Sequence, residues 1–203
     1  MIELPPEKGE ATKALLVLHG WGANQHDLVP LTKSLNLENC YCFFPNAPYD
    51  VEGTGGEGKG WFTFPLNKSF EQEREVSREI LFSHLDEIQG KNFRSEQIVL
   101  LGFSQGAGMC LDLMLNWNKN VGAVVSLSGF LMDGEQVKNH SSLPTDTPIF
   151  AAHGLYDPIL PLETSKASVQ VLEECGFNLT WREYPMAHQI VPDEIDDIRT
   201  FLN

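Results

Sequence analysis

The residues best suited to chemistry in this chain are Gly102-Phe103-Ser104-Gln105-Gly106, a G-x-S-x-G pentapeptide. Alone it is a weak signal, because glycine and serine are common in turns. Its setting is more specific. It follows an apolar run ending at Leu101 and opens a helical pattern at Gln105, which is the strand–turn–helix context of a nucleophile elbow. A serine at so sharp a turn takes strained backbone angles, and flanking glycines let strand and helix approach each other. The Ser104 hydroxyl is then expected above the C-terminal edge of a sheet, at the positive end of a helix dipole.

A serine hydroxyl needs a neighbouring base to become a nucleophile. Elbow serines are followed along the chain by an acid and then a histidine, which restricts the base to His140, His153 or His188. His188 lies in Tyr184-Pro185-Met186-Ala187-His188, between the last strand run and the last helical pattern. A loop there reaches over the sheet edge, so we assign the base to His188. His153 precedes Gly154 and is expected to brace a turn; His140 sits in a polar loop. Asp157 falls just past the fifth strand run, with Pro158 stiffening its loop. It is the expected acid, holding the imidazole in its useful tautomer. Asp112 should face away on the elbow helix, and Asp133 and Asp146 belong to polar loops. An oxyanion formed at Ser104 would need two N–H donors. One is expected from Gln105, the other from Trp21 in the glycine-flanked loop His19-Gly20-Trp21-Gly22. An imidazole base with an unperturbed pKa of about 6.5 predicts activity that falls on acidification.

These groups need a frame, and the apolar pattern supplies one. Six short runs recur, at 14–18, 40–44, 97–101, 121–127, 148–152 and 179–184. Nearly continuous apolar runs mark strands buried on both faces, hence a parallel sheet. Helical patterns lie between them at 69–89, 105–117, 162–175 and 193–202. In the first, Val76, Ile80, His84 and Ile88 recur every four residues beside Leu81 and Leu85. The alternation predicts an α/β domain with helices on both faces of the sheet. One domain is expected over 1–203. The glycine-rich segment 53–60 (GTGGEGKG) reads as a mobile surface loop. It lacks the Gly-Lys-Ser/Thr of a phosphate cradle, because Lys59 precedes Gly60-Trp61.

Composition narrows the classes further. The 203 residues hold 14 Lys+Arg against 28 Asp+Glu, a formal charge of −14. Such a chain is repelled by phosphate backbones and anionic membrane surfaces, which argues against nucleic acid as a partner. The N-terminal MIELPPEKGE carries neither a basic nor an apolar leader region, and no run is long enough to span a bilayer. A cytoplasmic protein without integral membrane contact is expected. The four cysteines show no C-x-x-C or zinc spacing, and no HExxH or clustered ligand set points to a metal. Cys40 and Cys42 are expected on opposite faces of their strand.

With these motifs in hand, the chain resembles the phospholipase/carboxylesterase family of α/β-hydrolases, the small carboxylesterases and acyl-protein thioesterases. The resemblance rests on LHGWG at 18–22, PNAP at 45–48, Trp61-Phe62, GFSQGA at 102–107, LSGF at 127–130, HGLYDPILP at 153–161 and YPMAH at 184–188. It departs from the family pattern at Ala23-Asn24, at Thr63 and in the length of 53–60. The resemblance implies an α/β-hydrolase fold with a mostly parallel central sheet and no large cap domain. It also implies a cofactor-free serine esterase with triad Ser104, Asp157 and His188 and oxyanion donors Trp21 and Gln105. The substrates would be short- to medium-chain acyl esters, with thioesters or lysophospholipids as further candidates. Trp61, Phe62 and Ile159 are apolar enough to wall an acyl site. A lactone or dienelactone hydrolase is the nearest rival, although those enzymes usually carry cysteine at the elbow. A non-turnover ligand-binding module is the rival from another class.

Overall fold

The computed structural model describes residues 1–139 and 143–203; His140 lies outside the described residues. Strands are β1 (Ile2–Leu4), β2 (Lys13–Leu18), β3 (Cys40–Phe44), β4 (Tyr49–Asp50), β5 (Lys59–Gly60), β6 (Ile98–Phe103), β7 (Ala123–Leu127), β8 (Ile149–Gly154) and β9 (Leu179–Tyr184). Helices are α1 (Val29–Leu35), α2 (Phe70–Gly90), α3 (Gln105–Asn116), α4 (Gly134–Asn139), α5 (Leu162–Glu174) and α6 (Pro192–Leu202).

Seven strands form one sheet in the order β1-β3-β2-β6-β7-β8-β9. Every pairing is parallel except β1 against β3. The six apolar runs are the six parallel strands. Their buried residues fall on alternate faces in two separate clusters, as a sheet covered on both sides requires. Leu16, Leu100 and Val124 face α2, α3 and α5 through Leu81, Leu85, Met109, Leu113 and Leu172. Leu15, Val17, Leu101 and Val125 face α1 and α6 through Leu31, Leu35, Ile198 and Leu202. This is the α/β-hydrolase fold, and no large cap is inserted among the described residues. None of their helices is long and apolar enough to cross a membrane.

Four elements go beyond the sequence reading: β1, α1, α4 and the β4–β5 ribbon. Two expectations need correcting. Cys40 and Cys42 share a face, both packed with the Leu15–Val17 cluster, because residues two apart on a strand point the same way. The buried stripe of α2 is Arg74, Ser77, Leu81, Leu85 and Ile88, whereas Val76 is exposed. The shift arises from a polar pair. Arg74 is buried against Asp112 of α3 (Nε–Oδ1 3.3 Å), which Arg78 also approaches at 3.4 Å. Asp112 therefore faces away from the elbow, as its periodicity predicts.

Candidate active site

Ser104 sits between β6 and α3 with φ 55° and ψ −119°, a backbone conformation that side chains rarely adopt. Its neighbours explain how the turn closes. A Cβ at Gly106 would lie 2.2 Å from the Leu18 carbonyl oxygen, and one at Gly102 would lie 2.4 Å from that of Gly106. The strain is held in place because the Ser104 N–H bonds the Leu127 carbonyl at 2.8 Å, while the Ala107 and Gly108 N–H groups bond the Ser104 carbonyl.

The loops after β8 and β9 bring their side chains to this turn. His188 Nε2 lies 2.9 Å from Ser104 Oγ, and His188 Nδ1 lies 2.6 Å from Asp157 Oδ2. The Asp157 side chain is fully buried and that of His188 is 16 % exposed. Asp157 Oδ1 accepts the N–H groups of Ile159 and Leu160 at 2.8 and 2.9 Å. Burial works to raise the Asp157 carboxyl, but the Leu160 N–H, His188 and the Ile159 N–H outweigh it, leaving the group below its ordinary value. An ionised acceptor at Nδ1 keeps a proton on that nitrogen and leaves Nε2 to face the serine. His153 takes the bracing role expected of it: it is fully buried, with Nε2 2.9 Å from the Leu160 carbonyl.

The loop after β2 passes close to the elbow, since a Cβ at Gly20 would lie 3.5 Å from Ser104 Cβ. The Trp21 and Gln105 N–H groups have no backbone acceptor among the described residues. His19 is buried, bonding the Gly20 carbonyl through Nδ1 and accepting the Ala47 N–H at Nε2. Burial holds its imidazole below the ordinary value, as suits that tautomer. The glycine-rich segment has a definite place here. Gly53, Gly55 and Gly56 take positive φ, and β5 closes on β4. The Lys59 N–H bonds the Ala23 carbonyl at 2.7 Å, and the Gly22 N–H bonds the Lys59 carbonyl at 2.9 Å. The segment thus buttresses the loop that carries Trp21.

Beside Ser104 and His188 opens a cavity of about 640 Å³, walled by Trp21, Phe62, Phe64, Leu66, Phe70, Phe130, Met132 and Ile159. A concave apolar chamber beside a few polar groups is the usual form of a small-molecule site.

The phospholipase/carboxylesterase family model matches residues 2–203. The chain belongs to the phospholipase/carboxylesterase family. Acyl-protein thioesterase 1 of Saccharomyces cerevisiae is 31 % identical over 212 residues, covering 95 % of this chain and 92 % of that protein. Its counterpart in Debaryomyces hansenii is 32 % identical over 213 residues, covering 95 % and 91 %. Among solved structures, esterase PE8 superposes with a TM-score of 0.87 at 25 % identity, covering 99 % of this chain and 96 % of that one.

In this member of the phospholipase/carboxylesterase family, Phe62 and Ile159 line the cavity, but Trp61 does not. Trp61 is fully buried; its indole N–H bonds the His19 carbonyl at 2.9 Å. Apolar character alone does not separate a cavity wall from the layer behind it. The Gln105 side chain is the contribution that sequence reasoning missed. Its Oε1 accepts the Trp61 N–H at 2.6 Å and its Nε2 donates to the Phe62 carbonyl at 2.8 Å, tying the cavity wall to the elbow helix. An amide beside the nucleophile was the available signal.

Proposed function

We propose that this chain is a serine hydrolase that cleaves short- to medium-chain carboxylic esters, and thioesters of the same acyl groups, through an acyl-enzyme. The observation that carries this reading is the 2.9 Å approach of His188 Nε2 to Ser104 Oγ at the rim of an apolar cavity. Ser104 Oγ attacks the acyl carbonyl carbon while His188 Nε2 takes its proton. Asp157 stabilises the imidazolium that forms. The carbonyl oxygen becomes an oxyanion and accepts the Trp21 and Gln105 N–H groups, whose fixed positions need no reorganisation as charge develops. His188 passes the proton to the departing alkoxide or thiolate. Water, deprotonated by the same imidazole, then attacks the acyl-enzyme and regenerates Ser104. The acyl chain occupies the apolar cavity, with Phe62 and Ile159 among its contacts. Family membership and the acyl-protein thioesterase relatives support a thioester as well as an oxygen-ester scissile bond.

Ser104→Ala is expected to lower p-nitrophenyl ester turnover by at least about a thousandfold and to abolish fluorophosphonate labelling, with an unchanged circular dichroism spectrum. Retained turnover in a folded Ser104→Ala protein would overturn the proposal. A matched series of esters and thioesters of increasing acyl length on the parent enzyme then defines the substrate range.

A further inference from the structure

Arg74 and Asp112 form a buried ion pair that hydrolysis does not use. Both side chains are only 5 % exposed, and Arg74 Nε lies 3.3 Å from Asp112 Oδ1. Arg74 Nη2 donates to Gln136 Oε1 of α4 at 3.2 Å, and Nη1 lies 3.2 Å from Glu71 Oε2. Arg78 Nη1 approaches Asp112 Oδ2 at 3.4 Å, and the Asn116 amide donates to Asp112 Oδ1 at 3.3 Å. Helices α2, α3 and α4 thus meet at one polar cluster. Burial outweighs both guanidinia and leaves the Asp112 carboxyl above its ordinary value, so the charges are held at a desolvation cost. Apolar side chains of similar volume often pack as stably at such a position.

What the pair backs follows from its place. Leu131 and Met132 line the cavity beside Ser104, and both also line a second hollow of about 10 Å³ whose other walls include Arg74, Asp112 and Gln136. These two side chains therefore stand between the cavity and the pair. The hollow has room for about one water and none for a hydrocarbon chain. Met132 lies against Gly108 of α3, where a Cβ would come within 3.9 Å of its Cε. Asp112 is one turn further from Ser104, about 12 Å along the helix axis from the nucleophile. On the α2 side, the Arg74 guanidinium stands 6.0 Å over the Phe70 ring, which also lines the cavity. Met132 is unbranched and adaptable, so an acyl chain pressing on it would bend it toward the pair. The pair is fixed between three close-packed helices, and parting it would leave buried charges uncompensated.

We infer that the Arg74–Asp112 pair determines acyl specificity: it backs Leu131 and Met132, ends the cavity there, and so sets the longest acyl chain the enzyme accepts. This assignment rests on the acyl chain occupying that cavity, as proposed above. Arg74 and Asp112 act through Met132 and do not touch substrate, so they are positioning residues. Their signature is a changed preference for chain length with the chemistry at Ser104 untouched.

The test is the double variant Arg74→Met/Asp112→Ala, which removes both charges together because removing one strands the other. Arg78 is 16 % exposed and can turn its head group toward water. The kcat/KM values are measured for p-nitrophenyl butyrate, octanoate and dodecanoate. The double variant is expected to keep the butyrate value within about twofold of the parent's. Its dodecanoate-to-butyrate ratio is expected to rise about tenfold, the worth of one or two further methylenes moved out of water. An unchanged or lower ratio in a folded double variant overturns the inference, and an equal loss on all three esters shows a purely structural role. If the double variant does not fold, the parent decides. Ser104 is labelled with p-nitrophenyl alkylphosphonates of increasing chain length, and the longest adduct is crystallised. A chain that ends against Leu131 and Met132 with the Arg74–Asp112 pair intact supports the inference; one that leaves by another route or parts the pair overturns it. A parent that neither turns over butyrate nor reacts with the phosphonates would instead count against the hydrolase reading itself.

Discussion

At the scale of single residues, two positions carry an energetic cost, a strained backbone at Ser104 and a buried carboxyl at Glu194. Ser104 is non-glycine at φ 55° and ψ −119°, a region where a Cβ costs on the order of 1–3 kcal/mol. Its side chain makes no capping bond to α3, and the backbone hydrogen bonds that hold the turn would be kept by glycine. Ser104→Gly is therefore expected to be inactive yet more stable than the parent by about 1 kcal/mol, measured by urea denaturation. A less stable glycine variant would show that the turn is relaxed. Glu194 is the second case. It is fully buried in the first turn of α6, and neither carboxyl oxygen has a hydrogen-bond partner among the described residues. Burial pushes its pKa from 4.5 up to about 8. The native state thus holds the proton that the unfolded chain releases. The associated stability is complete below about pH 4.5 and is lost as pH climbs toward about 8. Glu194→Gln removes this titration. It is expected to match the parent within about 1 kcal/mol near pH 4 and to exceed it by a few kcal/mol near pH 9, raising Tm by several degrees. A Tm difference independent of pH would contradict the assignment.

At the scale of elements, glycines set how closely the elbow helix meets the sheet. A methyl group on Gly106 of α3 would stand 2.2 Å from the Leu18 carbonyl oxygen of β2, and backbone cannot yield as a flexible side chain can. Gly106→Ala is expected to push α3 off β2 and destabilise by roughly 3 kcal/mol or more. Gly90 at the end of α2 would bring a methyl group within 4 Å of nothing, and it has no positive φ. Gly90→Ala is expected to be neutral or stabilising by up to about 1 kcal/mol. Thermal melts of the two variants side by side test the contrast, which similar losses in both would refute. The same elements show what could be read from the sequence. The parallel strands and the elbow were legible because burial on both faces leaves continuous apolar runs, and because the turn's steric demands leave G-x-S-x-G. The edge strand β1 was not, since Ile2-Glu3-Leu4 pairs on one side only and is too short for a pattern. The buried face of α2 departs from its apolar spacing because Arg74 and Ser77 are buried through polar partners that lie far away in sequence. Trp61 reads as cavity wall because an aromatic residue in a core and one in a wall look alike until packing is known.

At the scale of the whole molecule, the net charge of the chain and the shape of the candidate site lead to a joint prediction about substrate choice. The cavity beside Ser104 is apolar, but a neighbouring hollow of about 370 Å³ shares Trp21, Phe62 and Phe64 and carries Asp50 and Glu52. Lys59 pairs with Asp50, leaving this approach acidic within a chain of net charge −14. The potential of such a surface repels anionic ligands and concentrates cationic ones, and the effect fades as salt shortens the Debye length from about 20 Å to about 4 Å. Three esters of one acyl group, with anionic, neutral and cationic leaving alcohols, separate this field from contacts in the apolar cavity. Raising the salt from about 0.02 M to about 0.5 M is expected to increase kcat/KM severalfold for the anionic ester, decrease it for the cationic one and leave the neutral one nearly flat. The acyl group is common to all three, so opposite slopes can arise only from the leaving-group side and the long-range field. If all three esters responded alike, salt would be acting on the apolar cavity or on folding, and the acidic surface would have no part in selecting substrates.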